Sequence, residues 1–559
     1  MCKGRVYNKL MLHSFVKLRN AIHKCISVSW LSDVQCCVFP LHRHRFTIMS
    51  INFLPVELLQ KIFCFLSYTD LQRISLVCHR WNNASEKFIV DKVKLNITSS
   101  FPRTYAALAE WDDRHSALNV IRSSLRNYRS IAFECNTALD EWQQLEPFVE
   151  GCAERFPAID ALYLEDIQSQ YLHRLYSTHR GWISRCRFLK VSMRSDYDYS
   201  KKNDEKSEWV LAMPNLEKLF WEECEYDPLR TVTIDAPKLE TIYLESYESS
   251  HRGEFRLQCS QIKHIECILY EDNLLEMFET TLDNVESLQM TLDYRIDLEF
   301  IKALRQLSYL NITFNCKMKS LDELESVCAY LQIKTLIISC SIERCFIDLE
   351  NFFNCFPGLE SLTFRRIDFY AENCVQARHL KYLDLQNVEY FDDTVSFNAP
   401  NLEDLILDAD ILDKIEFINT ARLSAVQLLL MSRSIGDTLE QFIIPFLQTH
   451  EEVTHLSLKG HYYQNDSLDQ PNNGAVELNI KHLVLESINV TIGFFKMISG
   501  WKSLQTLILN RCTIDCTSLA DGEIILLPSV HNIETIGINR LKNTERVDFP
   551  LVTGRNSLC

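Results

Sequence analysis

Residues 380–385 (LKYLDL) and residues 402–407 (LEDLIL) are two copies of one short pattern, with apolar residues at the first, fourth and sixth positions. Between Leu216 and Leu423, the first positions of successive copies advance by 21 to 26 residues. The alternating apolar residues at the fourth and sixth positions predict a short strand with one buried face. A period of about 20–29 residues with one strand per repeat is typical of a parallel-stranded solenoid.

Copies of this pattern extend over most of the chain. Clear copies begin at Ile159, Leu216, Leu239, Val285, Leu307, Leu359, Leu380, Leu402, Val453, Leu504 and Ile533, and weaker ones begin at Val90, Tyr128, Cys186, Ile262, Ile333, Leu423 and Ile480. The residues between the strands must return along the other side of the solenoid. We therefore predict an α/β fold in which a curved parallel sheet forms the concave face and helices or irregular turns form the convex face.

Composition limits the class of protein. A chain of 559 residues is too long for one hydrophobic core. Its 47% hydrophobic content is that of a folded protein, and its net charge of −17 argues against nucleic-acid binding. The 21 cysteines include no CxxC pair, as expected for reduced thiols in a cytoplasmic or nuclear protein. No apolar run reaches the roughly 20 residues of a membrane span.

The expected domains follow from these patterns. Residues 1–48 are basic and are predicted to be a disordered extension, although a targeting segment and a start at Met49 stay open. Residues 49–90 form a helical module, residues 91–545 form the solenoid, and residues 546–559 form a C-terminal tail.

The helical module has the sequence NFLPVELLQKIFCFLSYTDLQRISLVCHRWNNAS over residues 52–85. Pro55 suits the first turn of a helix, and Leu58, Ile62 and Leu66 recur at the spacing of one helical face. So small a unit cannot hide all of its apolar side chains internally. The pattern by itself indicates either a partner-binding module or a cap on the domain that follows.

This segment resembles an F-box. The family's Leu-Pro-x-Glu-Leu-Leu, Asp-Leu and Val-Cys-x-x-Trp elements stand here, in order, at residues 54–59, 70–71 and 77–81. The resemblance implies docking on a Skp adaptor, which bridges to a cullin and its RING subunit. The adaptor contacts carried over from the family are Leu54, Pro55, Leu58, Ile62, Leu66, Leu71, Val77, Cys78 and Trp81.

The repeats resemble leucine-rich repeats, and residues 216–224 and 504–512 resemble the cysteine-containing subtype that is common beside F-boxes. This resemblance implies a binding surface and leaves the ligand open. The expected surface is formed by strand residues that point away from the core: Tyr163, Glu165, Phe220, Glu222, Tyr243, Glu245 and Glu266. Aromatic anchors suit an interface, and a column of glutamates favours a basic partner. An acidic solenoid would also show glutamates on any face.

No residue pattern predicts catalysis. His450 and His455 stand five residues apart, whereas a zinc-protease helix needs a spacing of four. We assign no active site, no metal and no cofactor.

The interpretation that the resemblance favours is the substrate-recognition subunit of an SCF-type (Skp–cullin–F-box) ubiquitin-protein ligase. Such a subunit acts by holding a substrate near another subunit's activated ubiquitin. It would be cytoplasmic or nuclear, without membrane or nucleic-acid binding. The alternative is a leucine-rich-repeat scaffold with no role in ubiquitination. A secreted repeat receptor, glycosylated at Asn311 or Asn489, is a more remote alternative.

Overall fold

A computed structural model represents the chain. It describes residues 56–63, 66, 71, 80–81, 84–85, 94–98, 118–119, 121–123, 128–134, 142–167, 169–193, 207–223, 230–246, 255–269, 282–292, 298–315, 321–342, 344–388, 394–430, 438–460, 467–469, 477–515, 525–537, 539–540 and 551–553. The predicted basic extension, residues 1–48, lies outside these ranges.

The chain divides into two compact units. Unit 1 is Met1–Glu240 with Ser249–Cys259, and unit 2 is Thr241–Glu248 with Ser260–Cys559.

Unit 1 is built from repeats that each add one parallel strand. Its helices are α1 (Val56–Phe63), α2 (Trp142–Arg155) and α3 (Ser169–Ile183). Its strands are β1 (Lys94–Thr98), β2 (Ser130–Glu134), β3 (Ala161–Ile167), β4 (Phe188–Met193), β5 (Ser207–Ala212), β6 (Lys218–Glu223), β7 (Arg230–Asp235) and β9 (Phe255–Gln258). The main sheet has the order β1–β2–β3–β4–β6. A second parallel sheet, the return sheet, has the order β5–β7–β9.

Unit 2 continues the same construction over more repeats. Its main-sheet strands are β8 (Thr241–Ser246), β10 (His264–Leu269), β11 (Ser287–Leu292), β12 (Tyr309–Phe314), β13 (Thr335–Cys340), β15 (Ser361–Arg365), β18 (Tyr382–Gln386), β20 (Asp404–Asp408), β22 (Ala425–Leu430), β23 (His455–Gly460), β25 (His482–Glu486), β27 (Thr506–Asn510) and β30 (Asn532–Ile536). They pair in parallel in chain order.

The return segments of unit 2 are short strands and short helices. The return strands are β14 (Cys345–Asp348), β16 (Ile367–Tyr370), β17 (Val375–Gln376), β19 (Val395–Asn398), β21 (Ile415–Ile418), β24 (Ser467–Leu468), β26 (Asn489–Thr491), β28 (Thr513–Asp515), β29 (Ile525–Leu527), β31 (Asn539–Arg540) and β32 (Leu551–Thr553). The helices are α4 (Asp322–Cys328), α5 (Leu349–Cys355), α6 (Ile444–Thr449) and α7 (Ile492–Ile498), with 3₁₀ turns at Leu298–Ala303 and Ala409–Ile411 and a π turn at Leu439–Ile443. The sequence predicted helices or irregular turns on this side and missed the strands.

Stacking of equivalent side chains holds the repeats together. Leu362 pairs with Leu336 on one side and with Leu383 on the other, and all three are fully buried. Phenylalanines extend this core toward the return side, where the Phe352 ring lies 5.2 Å from Phe364 and 4.7 Å from Phe356 between centroids. Each repeat thus buries its apolar residues against its neighbours, as a solenoid requires.

Tight turns connect main strands to return strands. Arg366, Ser487 and Arg511 directly follow β15, β25 and β27 and have φ values of 59°, 55° and 53°. Gly537 has a φ of 63° in the same place after β30. A residue with a Cβ atom costs about 1–2 kcal/mol in this conformation. The stacking of the repeats therefore imposes the turn even where the sequence offers no glycine.

Two predicted repeat frames were wrong. In the last repeat, Ile533 pairs with Leu507 and therefore occupies the fourth position, which the sequence pattern had given to Ile536. Buried Val530 takes the first position, and Ile536 is 58% exposed. In the first repeat, Leu95 and Ile97 pair with Ile131 and Phe133, which shifts the copy predicted at Val90 by two residues.

In the described part of the chain, no helix combines the length and the apolar character that crossing a membrane requires.

Candidate protein-binding surfaces

Helix α1 has apolar residues on two faces. Leu59 and Phe63, one helical turn apart, are fully buried, whereas Val56 is 36% exposed and Leu58 is 45% exposed. The sequence pattern placed Leu58, Ile62 and Leu66 on one apolar face and assigned them to the adaptor contact; the buried face of α1 is the neighbouring one, with Leu59 and Phe63. Leu58 and half-buried Ile62, one helical turn apart, form a second apolar face that is partly exposed.

Trp81 anchors the interior of the helical segment. Its side chain is 1% exposed, and its ring meets Phe63 edge-on at 5.6 Å between centroids. Leu71 is 2% exposed. The predicted adaptor contact residues therefore differ in accessibility. Leu58 is open to a partner, whereas Leu71 and Trp81 pack inside the chain.

Two other predicted adaptor contacts are intermediate in exposure, and four lie outside the described residues. Ile62 and Leu66 are half-buried. Leu54, Pro55, Val77 and Cys78 lie outside the described residues, and their contacts stay predictions.

The outward side of the main sheet in unit 1 carries an alternating row of aromatic and basic residues. Tyr163, Lys190 and Phe220 stand at paired positions on β3, β4 and β6. Lys190 Nζ lies 4.9 Å from the centre of the Phe220 ring, and Lys94 Nζ lies 4.5 Å from the centre of the Tyr163 ring. Both distances are within the range of a cation–π interaction. We call Lys94, Tyr163, Lys190 and Phe220 the aromatic–lysine row.

Neighbouring side chains complete this row. The Phe188 ring lies tilted against Tyr163 at 5.0 Å between centroids, and Lys94 Nζ forms an ion pair with Glu165 Oε1 at 3.4 Å. Glu222 is half-buried and stands beside Ser192 on β4. Sequence reasoning found the aromatic residues but missed the lysines, although the register of the copies placed Lys190 between Tyr163 and Phe220.

The outward side of unit 2 begins with charged residues, and neutral residues follow Glu245 on the next three strands. Tyr243 Oη donates to Glu245 Oε2 at 2.8 Å, and Gln289 Nε2 donates to Glu266 Oε1 at 3.0 Å. The positions that follow Glu245 across the next strands are Ile268, Thr291 and Thr313. The glutamates of unit 2 thus do not extend as a column, and they are hydrogen-bonded within the sheet surface.

Two carboxylates in the middle of unit 2 are buried. Asp384 is 3% exposed and Asp408 is 4% exposed. Burial raises the pKa of Asp408 to about 6, against hydrogen bonds from the Asn387 and Val388 backbone N–H groups that lower it. Burial also raises the pKa of Asp384, which accepts hydrogen bonds from Gln386 Nε2. The Asp408 carboxyl therefore takes up its proton at a higher pH than an exposed aspartate does.

The histidines considered for catalysis lie on different elements. His450 follows α6, is buried, and has its Nδ1 atom 2.9 Å from the Phe446 carbonyl oxygen, whereas His455 begins β23 and stacks on His482 at 4.3 Å between centroids. Within the residues that the structure describes, no group of three or more metal-ligating side chains is arranged to hold an ion.

Comparisons with known proteins give a family match for the helical segment. The family model described as F-box-like matches residues 51–89. No curated protein matches the chain. Two solved structures align weakly. One is a leucine-rich-repeat protein of Leptospira interrogans, with 13% identity over 72% of this chain and 93% of that chain and a TM-score of 0.29. The other is an internalin from Listeria monocytogenes, with 11% identity over 86% and 93% and a TM-score of 0.22.

The strand pairing of the repeats defines the fold. One parallel strand per repeat of 20-odd residues, with inward leucines stacked in register, is the construction of leucine-rich repeats. The Cys512 thiol donates to the Leu485 carbonyl of the preceding repeat at 3.1 Å, in the place of the cysteine of the cysteine-containing subtype. The chain combines an F-box-like segment with a leucine-rich-repeat solenoid, and both are protein-interaction modules.

Proposed function

We propose that this protein is the substrate-recognition subunit of an SCF-type ubiquitin-protein ligase. The F-box-like segment binds a Skp adaptor, and through it a cullin and a RING subunit. The repeats bind the protein substrate. The subunit itself forms and breaks no covalent bond, because its part is to hold the substrate close to the activated ubiquitin.

The observation that carries the proposal is the exposed apolar face of α1. Leu58 is 45% exposed, and Ile62, one helical turn further on the same face, is half-buried, within a segment that matches the F-box-like family. Burying a leucine side chain contributes about 1.5–3 kcal/mol, so a partner that covers this face gains appreciable affinity. Leu58 belongs to the Leu-Pro-x-Glu-Leu-Leu element from which the resemblance carries over the adaptor contact.

On the substrate side, the proposal places capture on the outward surface of the main sheets. The candidate residues are Tyr163, Glu165, Phe220, Glu222, Tyr243, Glu245 and Glu266. In unit 1, the aromatic–lysine row presents large flat side chains with the basic groups already held over the rings. Aromatic side chains of this kind are frequent interface anchors. The site of action is the cytoplasm or nucleus, where SCF ligases assemble.

Co-purification with a Skp adaptor tests the proposal. Leu58→Asp places a charge on the exposed face of α1 and should abolish the complex, because a buried unpaired carboxylate costs several kcal/mol. The matched control is Leu526→Asp, the same substitution at a leucine of unit 2 that is 57% exposed. It should leave adaptor binding unchanged. If both variants bind like the wild type, the proposed adaptor surface is wrong.

A second candidate function is a repeat scaffold on which the helical segment serves as a cap. The burial of Leu71 and Trp81 favours this function, because a cap packs its apolar side chains against its own chain. It predicts that deleting residues 49–90 increases hydrogen exchange throughout β1–β6. The receptor proposal predicts that the strands keep their protection while adaptor binding is lost.

A further inference from the structure

Two thiols lie close together at a turn in unit 2. Cys340 ends main strand β13, Cys345 begins return strand β14, and their Sγ atoms are 3.2 Å apart. The two residues are 2% and 0% exposed. A disulfide bond is about 2.05 Å long, so the sulfur atoms need to approach by only about 1 Å to bond.

The environment of Cys340 differs from that of Cys152, Cys186 and Cys328. The hydrogen bond between the Cys340 and Cys345 side chains lowers the pKa of the Cys340 thiol, burial raises it, and the nearby Arg366 charge lowers it. At Cys152, Cys186 and Cys328, burial instead raises the pKa to about 12. A larger thiolate fraction makes a cysteine a better nucleophile.

The turn that joins the two cysteines lies at the surface. Ser341 is exposed and Ile342 is 58% exposed. The Arg366 guanidinium donates to the Ser341 carbonyl and, at 3.5 Å, to the Ile342 carbonyl. A small molecule that approaches the two buried sulfur atoms from this side meets an exposed turn.

We propose that Cys340 and Cys345 are a redox modification site, at which a peroxide converts the two thiols into an intrachain disulfide. The Cys340 thiolate attacks the O–O bond of hydrogen peroxide and becomes a sulfenic acid. The displaced hydroxide takes up the thiol proton and leaves as water. The Cys345 sulfur then bonds to the Cys340 sulfur, and the sulfenic hydroxyl leaves with the Cys345 proton as a second water. The peroxide accepts the two electrons that the thiols lose.

The disulfide fixes the turn between the main and return sides of this repeat. Arg344, inside the turn, forms an ion pair with buried Asp368 of the next repeat at 2.9 Å. The cross-link therefore holds in place the residue that joins two neighbouring repeats. This role is independent of adaptor binding at α1.

Treating the full chain with increasing hydrogen peroxide, followed by differential alkylation and peptide mass spectrometry, tests the site. We expect a Cys340–Cys345 cross-linked peptide at peroxide doses that leave half-exposed Cys355 and Cys374 largely reduced. Oxidation of Cys355 and Cys374 while Cys340 and Cys345 stay reduced would overturn the proposal. So would bonding of Cys340 to any other cysteine.

A single substitution identifies the order of the steps. Cys345→Ser removes the resolving thiol, so peroxide should leave a sulfenic acid on Cys340 that dimedone traps. The reverse variant, Cys340→Ser, should leave Cys345 unreacted at the same dose. Equal trapping at both residues contradicts the assignment of Cys340 as the attacking thiol. If neither variant folds, the cross-link measured in the wild-type chain decides the proposal by itself.

Discussion

The repeats and helix α1 differ in how completely the chain itself buries their apolar side chains. In the repeats, each inward leucine meets equivalent leucines of the two neighbouring strands, and residues such as Leu336, Leu362 and Leu383 are fully buried. In α1, Leu59 and Phe63 are buried by the chain, but Val56 and Leu58 are not. The solenoid covers its own leucines by repetition, whereas the short helical segment has no next copy and leaves Leu58 partly exposed.

The largest expected change in stability is in the stacked core of the repeats. Phe364→Ala removes a fully buried ring that packs on Phe352 and should destabilise unit 2 by about 3–5 kcal/mol, from lost burial and the cavity left behind. Urea denaturation followed by circular dichroism measures the change. A loss below about 1 kcal/mol would mean that the stacked core collapses around the cavity.

Trp81→Ala breaks the interior of the helical segment. It removes the partner of Phe63 and should cost about 3 kcal/mol, enough to unfold a segment this small. Hydrogen exchange over residues 56–85 should rise while the strands of β2–β4 keep their protection. Increased exchange in those strands as well would make Trp81 part of the repeat core and weaken the comparison.

The buried Asp408 gives unit 2 a pH dependence of stability. The folded state raises the pKa of this carboxyl from its ordinary 3.8 to about 6, so the folded state holds the proton more tightly than the unfolded chain does. The resulting stabilisation is full below about pH 4 and is lost as pH rises through about 6.

Asp408→Asn should therefore stabilise unit 2 by about 1–3 kcal/mol at pH 7.5 and change little at pH 4.5, since the amide keeps an acceptor for the Val388 N–H group. Parallel denaturation curves at the two pH values measure this difference. An effect that is the same at both values would contradict the account of its burial.

The smallest expected effect is a loss of substrate affinity at the outward surface of the main sheet in unit 1. Phe220→Ala removes one ring of the aromatic–lysine row and should weaken substrate capture by about 1 kcal/mol, roughly fivefold, with adaptor binding unchanged. Ile508→Ala, at a half-buried outward position of β27, is the control. Equal losses in the two variants would remove the special role of unit 1.

Sequence reasoning identified most strands because each repeat had to satisfy the same spacing. It failed at Ile533 because Val530 offers an equally apolar start, and only pairing with Leu507 decides between the two frames. It did not identify Leu59 and Phe63 as the buried face of α1, because that face depends on where Phe63 meets Trp81. The register of the copies aligns Tyr163, Lys190 and Phe220, but the approach of the lysines to the rings depends on side-chain contacts between strands.

Hydrogen exchange of the full chain with and without a purified Skp adaptor tests the central claim most directly. We predict a stable complex and slower exchange across residues 51–89, centred on α1, with unit 2 unchanged from 321 to 388. A folded chain that forms no complex and shows the same exchange over residues 51–89 in the presence of the adaptor would contradict the account.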